Sequence, residues 1–183
     1  MNDNDFGKII DKDFSGAISI SKNKEVVFEK AFGYLDKSNK IANNINTRFQ
    51  TASGCKVFTA VGILQLIEKK LLKLDSKIGD ILYLNLNDID SNVTIEQLLN
   101  HTSGVPDYFD ETIMEEYEEL WIDYPMYKIR NLSNLLPLFI EKPMMYKAGE
   151  KFQYNNSGYV LLGLIIEKIT RMDFKSGYLI IKD

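Results

Sequence analysis

The sequence has 183 residues, of which 45% are hydrophobic and 26% are charged, and this balance is typical of a folded globular chain rather than a disordered one. The 22 basic residues are outnumbered by 26 acidic ones, so a net charge of −4 argues against a nucleic-acid surface. A single cysteine and a single histidine exclude a disulfide framework and a cysteine- or histidine-rich metal centre, so we expect no metal and no cofactor.

The beginning of the chain predicts a β-hairpin over residues 14–35. Residues 14–21 and 25–34 are rich in β-branched and aromatic side chains, and the Lys-Asn-Lys sequence at 22–24 is typical of a turn. The first residues are acidic where a secretory signal is basic and then apolar, and the longest apolar run, at 159–166, is too short to cross a bilayer. We therefore expect neither an export signal nor a membrane span in this chain.

Two strong helical patterns follow the polar residues 36–47. Apolar residues recur at the spacing of one helix face from Ser53 to Leu71, where Thr51 or Ser53 can cap the helix, and again from Ser157 to Thr170. The remaining predicted elements are a short helix at about Thr94–Asn100, several short helices within 110–140, a turn at 147–150 and a short strand at 178–181.

The pair Ser53 and Lys56 has the S-x-x-K spacing, which places both side chains on one side of a helix. The same spacing also occurs at residues 19–22 and 21–24, but those pairs lie at the end of a predicted strand, where residues three apart face opposite sides. Lys56 is predicted to share a buried face with Val57, Ala60 and Leu64, where an amine favours its neutral form. A neutral amine beside a hydroxyl is a general base beside a nucleophile. The alternative is that Ser53 caps the helix and Lys56 reaches to water.

A second motif, Tyr154-Asn155-Asn156, stands just before the second long helix. Together with the first motif, it makes the chain resemble the serine β-lactamase and penicillin-binding-protein superfamily, especially its class C-like and esterase-like branch. The resemblance runs from about Phe14 to Phe174. The segments that carry it are FQTASGCKVFT at 49–59, LLKLD at 71–75, TIEQLLNHTSGVP at 94–106 and GEKFQYNNSGYVLLGLIIEKIT at 149–170.

The resemblance implies a role for four residues. Ser53 would be the nucleophile, Lys56 its proton acceptor, and Tyr154 the phenol that carries a proton to the leaving group. Asn156 would bind Lys56 and the amide of the substrate. The lone histidine, His101, suggests a Ser-His pair, but we expect it to satisfy a loop at a helix end, and we expect Cys55 to pack in the interior.

The sequence departs from the family pattern after the second motif. Family members continue into further strands of a central sheet, the first of which carries a third motif of the H/K-T/S-G type and half of the oxyanion hole. The triplet Lys175-Ser176-Gly177 fits that pattern but follows Asn156 by only about 20 residues, so we interpret it as a coincidence rather than a relocated motif. The resemblance thus indicates a C-terminally truncated member.

The fold that this implies is of the α+β class: the helix-rich part of a β-lactamase/transpeptidase-like fold, with a small N-terminal antiparallel β-element and an incomplete central sheet. We expect one domain over 1–183, with the site in a helical region at 50–174. The expected function is hydrolysis of an amide or ester (a β-lactam, a D-amino-acid peptide or a small ester) through an acyl-serine, weakened by the missing motif. The alternative is an inactive remnant that binds peptides or partners.

The expected partners follow from the same considerations. They are a small-molecule or peptide substrate and a second copy of the chain, because an incomplete sheet leaves a strand edge open to self-association. The localisation stays open, since members of this superfamily are often exported.

Overall fold

The computed structural model describes residues 10–174. They divide into two compact units with the boundary after Ala52. The first unit contains short antiparallel strands and the second is built from helices, which confirms the predicted α+β class with its small N-terminal β-element. The single domain over 1–183 stays a prediction. The strand predicted at 178–181 and the triplet at 175–177 lie outside the described residues.

The predicted hairpin is present in the first unit. Strand β1 (Gly16–Lys22) pairs antiparallel with β2 (Glu25–Phe32). Asn23 and Lys24 join them, and both have positive φ, at 53° and 69°. This is the combination that a two-residue type I′ turn requires, and its twist matches that of the paired strands.

A second, smaller pair of strands was missed by the sequence analysis. Strand β3 (Tyr34–Asp36) pairs antiparallel with β4 (Ile41–Ala42). The Asp36 carboxylate closes the turn between them by accepting a hydrogen bond from the Asn39 backbone N–H at 2.9 Å. Strands of two and three residues are too short to show an alternating pattern, so the segment looked only polar.

The first long helix of the second unit, α1, covers Cys55–Glu68, and a 3₁₀ turn at Ala52–Gly54 precedes it. The prediction that Thr51 or Ser53 caps this helix is wrong, because its N-cap is Gly54 and no side chain caps it. The helix ends where Lys70 adopts φ 59° and the Leu71 N–H bonds back to the Leu66 carbonyl, a common helix termination.

The other long helix, α5, covers Asn156–Thr170, one residue longer than predicted at its start. Short helices α2 (Ile78–Ile81), α3 (Ile95–Leu99) and α4 (Leu120–Asp123) lie between the long ones. The predicted cluster of short helices within 110–140 is confirmed, since 3₁₀ segments at Tyr117–Glu119, Met126–Lys128 and Leu132–Leu138 accompany α4.

The core of the second unit forms around α5, which packs against α1 and α3. Most of the first ten residues of α5 are buried, so α5 is a central helix rather than a surface one. Fully buried members of the core are Ile63 and Leu66 of α1, Leu98 of α3, and Leu161, Leu162 and Ile165 of α5.

The predicted buried face of α1 is wrong. The structure buries Thr59, Gly62, Ile63 and Leu66, whereas the side chains of Val57 and Leu64 are 64% and 52% exposed. Two apolar stripes run along this helix, and periodicity alone did not distinguish the one that faces the core. Lys56 therefore borders an apolar surface that is open to solvent.

Within the described part of the chain, none of the helices has the length and hydropathy needed to cross a membrane.

We predict that Gly104→Ala strongly destabilises the second unit. Gly104 has φ 69°, and a Cβ built there would overlap the carbonyl oxygen of Tyr146, which belongs to the backbone and cannot rotate away. Gly149 also has a positive φ, 85°, but its nearest contact is the flexible Gln97 amide. Gly149→Ala should therefore cost only the left-handed strain of about 1–2 kcal/mol, and Gly104→Ala clearly more. Equal losses in the free energy of unfolding, measured by denaturant titration, would contradict this.

Candidate active site

Ser53 lies in the 3₁₀ turn before α1, and its side chain is exposed. The preceding residue, Ala52, has φ 44°. For a residue with a Cβ this left-handed conformation costs about 1–2 kcal/mol. Such strain concentrates at functional sites, where the surrounding structure holds a side chain in a required direction.

Lys56 lies in the first turn of α1 and joins two parts of the chain. Its Nζ is 3.3 Å from Ser53 Oγ and donates a hydrogen bond to Asn156 Oδ1 at 2.9 Å. Asn156 is the first residue of α5, so the close packing of the two long helices brings the two sequence motifs together. The lysine side chain is half-buried.

Two tyrosine rings flank this lysine. Tyr154 Oη donates a hydrogen bond to Ser53 Oγ at 2.8 Å, and its ring centroid is 4.9 Å from Lys56 Nζ. The ring centroid of Tyr159, one turn into α5, is 5.7 Å from the same nitrogen. Burial raises the pKa of the Tyr159 phenol, and its hydroxyl donates to the Leu99 carbonyl at 3.0 Å. Tyr159 therefore stays protonated and presents a neutral aromatic face.

His101 supports the tyrosines and does not bond to the serine. Its ring stacks on Tyr159 at 5.1 Å and lies 4.7 Å from Tyr154, and its Nδ1 accepts a hydrogen bond from the Asn155 N–H at 3.1 Å. It follows α3 with φ 60°, so it does satisfy a loop at a helix end, as predicted. Burial lowers the pKa of His101 below its usual 6.5, and the nearby charge of Lys56 lowers it further.

The start of α5 is held by two polar side chains that sequence reasoning did not single out. Asn155 caps the helix, because its Oδ1 accepts the Gly158 N–H at 2.7 Å while its Nδ2 donates to the Val105 carbonyl. Asp107 is buried and accepts the N–H groups of Asn156 and Ser157 at 2.9 and 3.1 Å. Burial raises the pKa of the Asp107 carboxyl above its usual 3.8, and these hydrogen bonds oppose that effect.

The sequence carries a signal for one of these two residues, Asn155, and none for the other, Asp107. An asparagine just before a helical pattern is a recognised start signal, so Asn155 could have been identified. Asp107 carries no local signal, because its partners lie 49 and 50 residues further along the chain. Cys55, which was expected to pack in the interior, is instead exposed.

The predicted site residues Ser53, Lys56, Tyr154 and Asn156 thus lie together, and the first three border a groove of about 440 Å³. The groove is lined by Ser53, Lys56, Val57, Ala60, Val61, Leu64, His101, Tyr154 and Tyr159. Among residues 10–174, no group of three or more histidine, cysteine, aspartate or glutamate side chains is arranged to hold a metal ion.

This arrangement places an exposed hydroxyl in contact with an amine and a phenol, both within reach of proton transfer. An apolar and aromatic groove leads to that hydroxyl. A hydroxyl beside an amine and a phenol is the combination that acyl transfer through a serine and a lysine requires.

Comparison with known proteins shows the family to which the chain belongs. The family model described as Beta-lactamase matches residues 9–176. Protein flp of Staphylococcus aureus is 31% identical over 176 residues, and penicillin-binding protein 4* of Bacillus subtilis is 30% identical over 167. These matches cover 91% and 88% of this chain, whereas the chain spans only about a third of the length of either relative (33% and 34%).

Two solved structures are similar. A penicillin-binding protein from Bacillus halodurans superposes with a TM-score of 0.86 at 42% identity, over 91% of this chain and 50% of that one. An octameric penicillin-binding protein homologue from Pyrococcus abyssi has a TM-score of 0.73 at 31% identity, over 91% of this chain and 37% of that one. The chain belongs to the Beta-lactamase family, that of the serine β-lactamases and penicillin-binding proteins.

The lowered pKa of His101 predicts a loss of stability on acidification. The unfolded chain, with a histidine pKa near 6.5, binds the proton more readily than the folded protein. His101 therefore contributes its full stability above about pH 6.5 and loses it as the pH falls from there toward the lowered value.

Denaturant titration of the wild-type protein and His101→Gln between pH 7.5 and 5 tests this, because the difference between them cancels the opposite contribution of Asp107. The advantage of the wild type should shrink on acidification. NMR titration of the only histidine in the chain gives its folded pKa directly, and a value at or above 6.5 would refute the prediction.

Proposed function

We propose that this chain carries the acylation site of a serine hydrolase that cleaves an amide or an ester through an acyl-Ser53 intermediate. The observation that carries the proposal is the contact of one exposed hydroxyl, Ser53 Oγ, with both Lys56 Nζ at 3.3 Å and Tyr154 Oη at 2.8 Å. A structural helix cap would instead bond to backbone N–H groups, and Ser53 does not cap α1.

The first step is attack on the carbonyl carbon of the substrate. Ser53 Oγ forms the new C–O bond as its proton passes to the Lys56 amine, and the carbonyl electrons move onto the oxygen. In this step the hydrogen bond between the two side chains runs from the hydroxyl to the neutral amine. Asn156 Oδ1 accepts one of the amine N–H groups and holds the nitrogen toward the serine.

The second step breaks the bond to the leaving group. When the tetrahedral intermediate collapses, the amine or alcohol that departs takes a proton from Tyr154 Oη, which regains one from Lys56. The products are the acyl-serine and the free leaving group. Water then attacks the acyl carbon, and the reverse proton transfers release the acid and regenerate Ser53.

The substrate is an amide or ester that fits an apolar groove. Candidates are a β-lactam, a D-amino-acid peptide and a small ester. The names of the penicillin-binding proteins from Bacillus support the first, and a D-stereospecific amidohydrolase from Streptomyces, 25% identical with a TM-score of 0.63, supports the second. The aromatic faces of Tyr154 and Tyr159 suit the apolar part of such a substrate.

A polypeptide limited to these 183 residues should acylate more readily than it turns over. In the family that the sequence resembles, half of the oxyanion hole comes from a strand that carries the third motif. Loss of one oxyanion-hole donor typically lowers the rate by about 10²–10³. The octameric homologue from Pyrococcus abyssi and the open edges of two-stranded sheets support self-association of such a polypeptide.

Covalent labelling tests the proposal directly. Incubation with a fluorophosphonate or a β-lactam should add one acyl or phosphonyl group, detected by intact-mass spectrometry and mapped by digestion to Ser53. Ser53→Ala should lose the adduct, while Cys55→Ala, two residues away and also exposed, should keep it. An adduct on Cys55 or on another serine would reject the assignment, and a polypeptide that binds the probe without an adduct would favour the inactive binding module.

The base role of Lys56 has a separate test. Lys56→Ala should lower the rate of Ser53 acylation by about 10²–10⁴, because no amine remains to accept the proton. Lys56→Arg keeps a positive charge but cannot act as a base. If Lys56→Arg acylates as fast as the wild type, the lysine serves only as a charge and the base role is wrong.

A further inference from the structure

Asp107 makes more contacts at the start of α5 than a helix cap requires. Its side chain is 5% exposed. Oδ2 accepts hydrogen bonds from the backbone N and the side-chain Nδ2 of Asn156, at 2.9 and 3.2 Å. Oδ1 accepts from Ser157 N and Oγ at 3.1 and 3.2 Å, and from Phe109 N at 3.4 Å. The helix already has its cap in Asn155, so Asp107 has a further effect: it binds a side-chain amide of the site.

The two ends of the Asn156 amide have different neighbours. Nδ2 donates to Asp107 Oδ2 and to the Phe109 carbonyl oxygen at 3.3 Å, and both of these are acceptors only. Oδ1 faces Lys56 Nζ, a donor. Turning the amide over would set its oxygen against a carboxylate and a carbonyl, and its NH₂ group against the N–H groups of Lys56. The buried carboxylate therefore determines which end of the amide meets the lysine.

We propose that Asp107 is a positioning residue that fixes the Asn156 amide with its oxygen toward Lys56 and thereby holds the amine beside Ser53. The functional part of this inference rests on the proposed function. Without the orientation, Lys56 loses its 2.9 Å acceptor and its Nζ, half-buried beside an open groove, is free to turn toward water. Displacements of about 1 Å in a reacting group can lower a rate about 10²-fold.

The first test needs no catalytic activity. NMR should show the side-chain NH₂ of Asn156, assigned by its disappearance in Asn156→Ala, exchanging with solvent at least about tenfold more slowly than a free amide, since its Nδ2 is bonded to the buried Asp107 carboxylate and to the half-buried Phe109 carbonyl. In Asp107→Asn, which keeps the shape of the side chain, this protection should be lost. Asn155→Ala is the matched control, because it weakens the same helix start and leaves the Asp107–Asn156 contact in place. The measurement on the wild-type protein does not depend on the folding of any variant. An unprotected Asn156 amide in the wild type overturns the proposal.

The second test is a double-mutant cycle on the rate of Ser53 labelling by a fluorophosphonate. Asp107→Asn alone should slow labelling about 10- to 100-fold, and should add less than about twofold to the effect of Asn156→Ala, because both act through one amide. In the double variant, the effects of Asn155→Ala and Asn156→Ala on the labelling rate should multiply. An undiminished effect of Asp107→Asn in the Asn156→Ala background, or no effect in either, overturns the positioning role. If the Asn156 amide is protected but Ser53 of the wild-type protein is never labelled, the proposed function is rejected. The orientation of the amide is established in that case.

Discussion

A 2.9 Å hydrogen bond from Lys56 Nζ to Asn156 Oδ1 joins the first turn of α1 to the first residue of α5, across 100 residues of sequence. Everything else in the site depends on those two helix starts lying side by side. Their positions are set by the core, where Ile63 and Leu66 pack in the same cluster as Leu162 and Ile165. Because packed interiors tolerate little displacement, the core restricts the relative movement of the two helix starts.

The environment of the lysine differs from the one that burial on an apolar face would create. Two aromatic rings and an amide oxygen surround its Nζ. Val57 and Leu64 of α1 line the groove beside this nitrogen. The exposed apolar stripe of α1 thus becomes part of the site.

The sequence predicted the local features well and the interactions between distant segments less well. Both long helices and the first hairpin followed from periodicity and turn residues. The two motifs indicated which four residues to examine, and the structure places those residues together while their roles stay a prediction. The predictions that proved wrong share one cause. Each concerns a feature that depends on contacts with residues elsewhere in the chain. The burial of Val57 depends on which apolar stripe of α1 faces α5. Ser53, which was considered as a cap of α1, instead contacts Tyr154 and Lys56.

Asp107 illustrates why such interactions escape a reading of the sequence. It follows Pro106 in a loop with no periodic pattern, and its partners are the backbone and side chains at the start of a helix about 50 residues away. Yet the start of α5 needs acceptors for its free N–H groups, and Asn155 satisfies only one of them directly. A second acceptor from another segment is therefore required by the helix itself. That the acceptor also contacts the Asn156 side chain couples the stability of α5 to the geometry at Ser53, so the same carboxylate that bonds to the backbone at the helix start also orients the Asn156 amide.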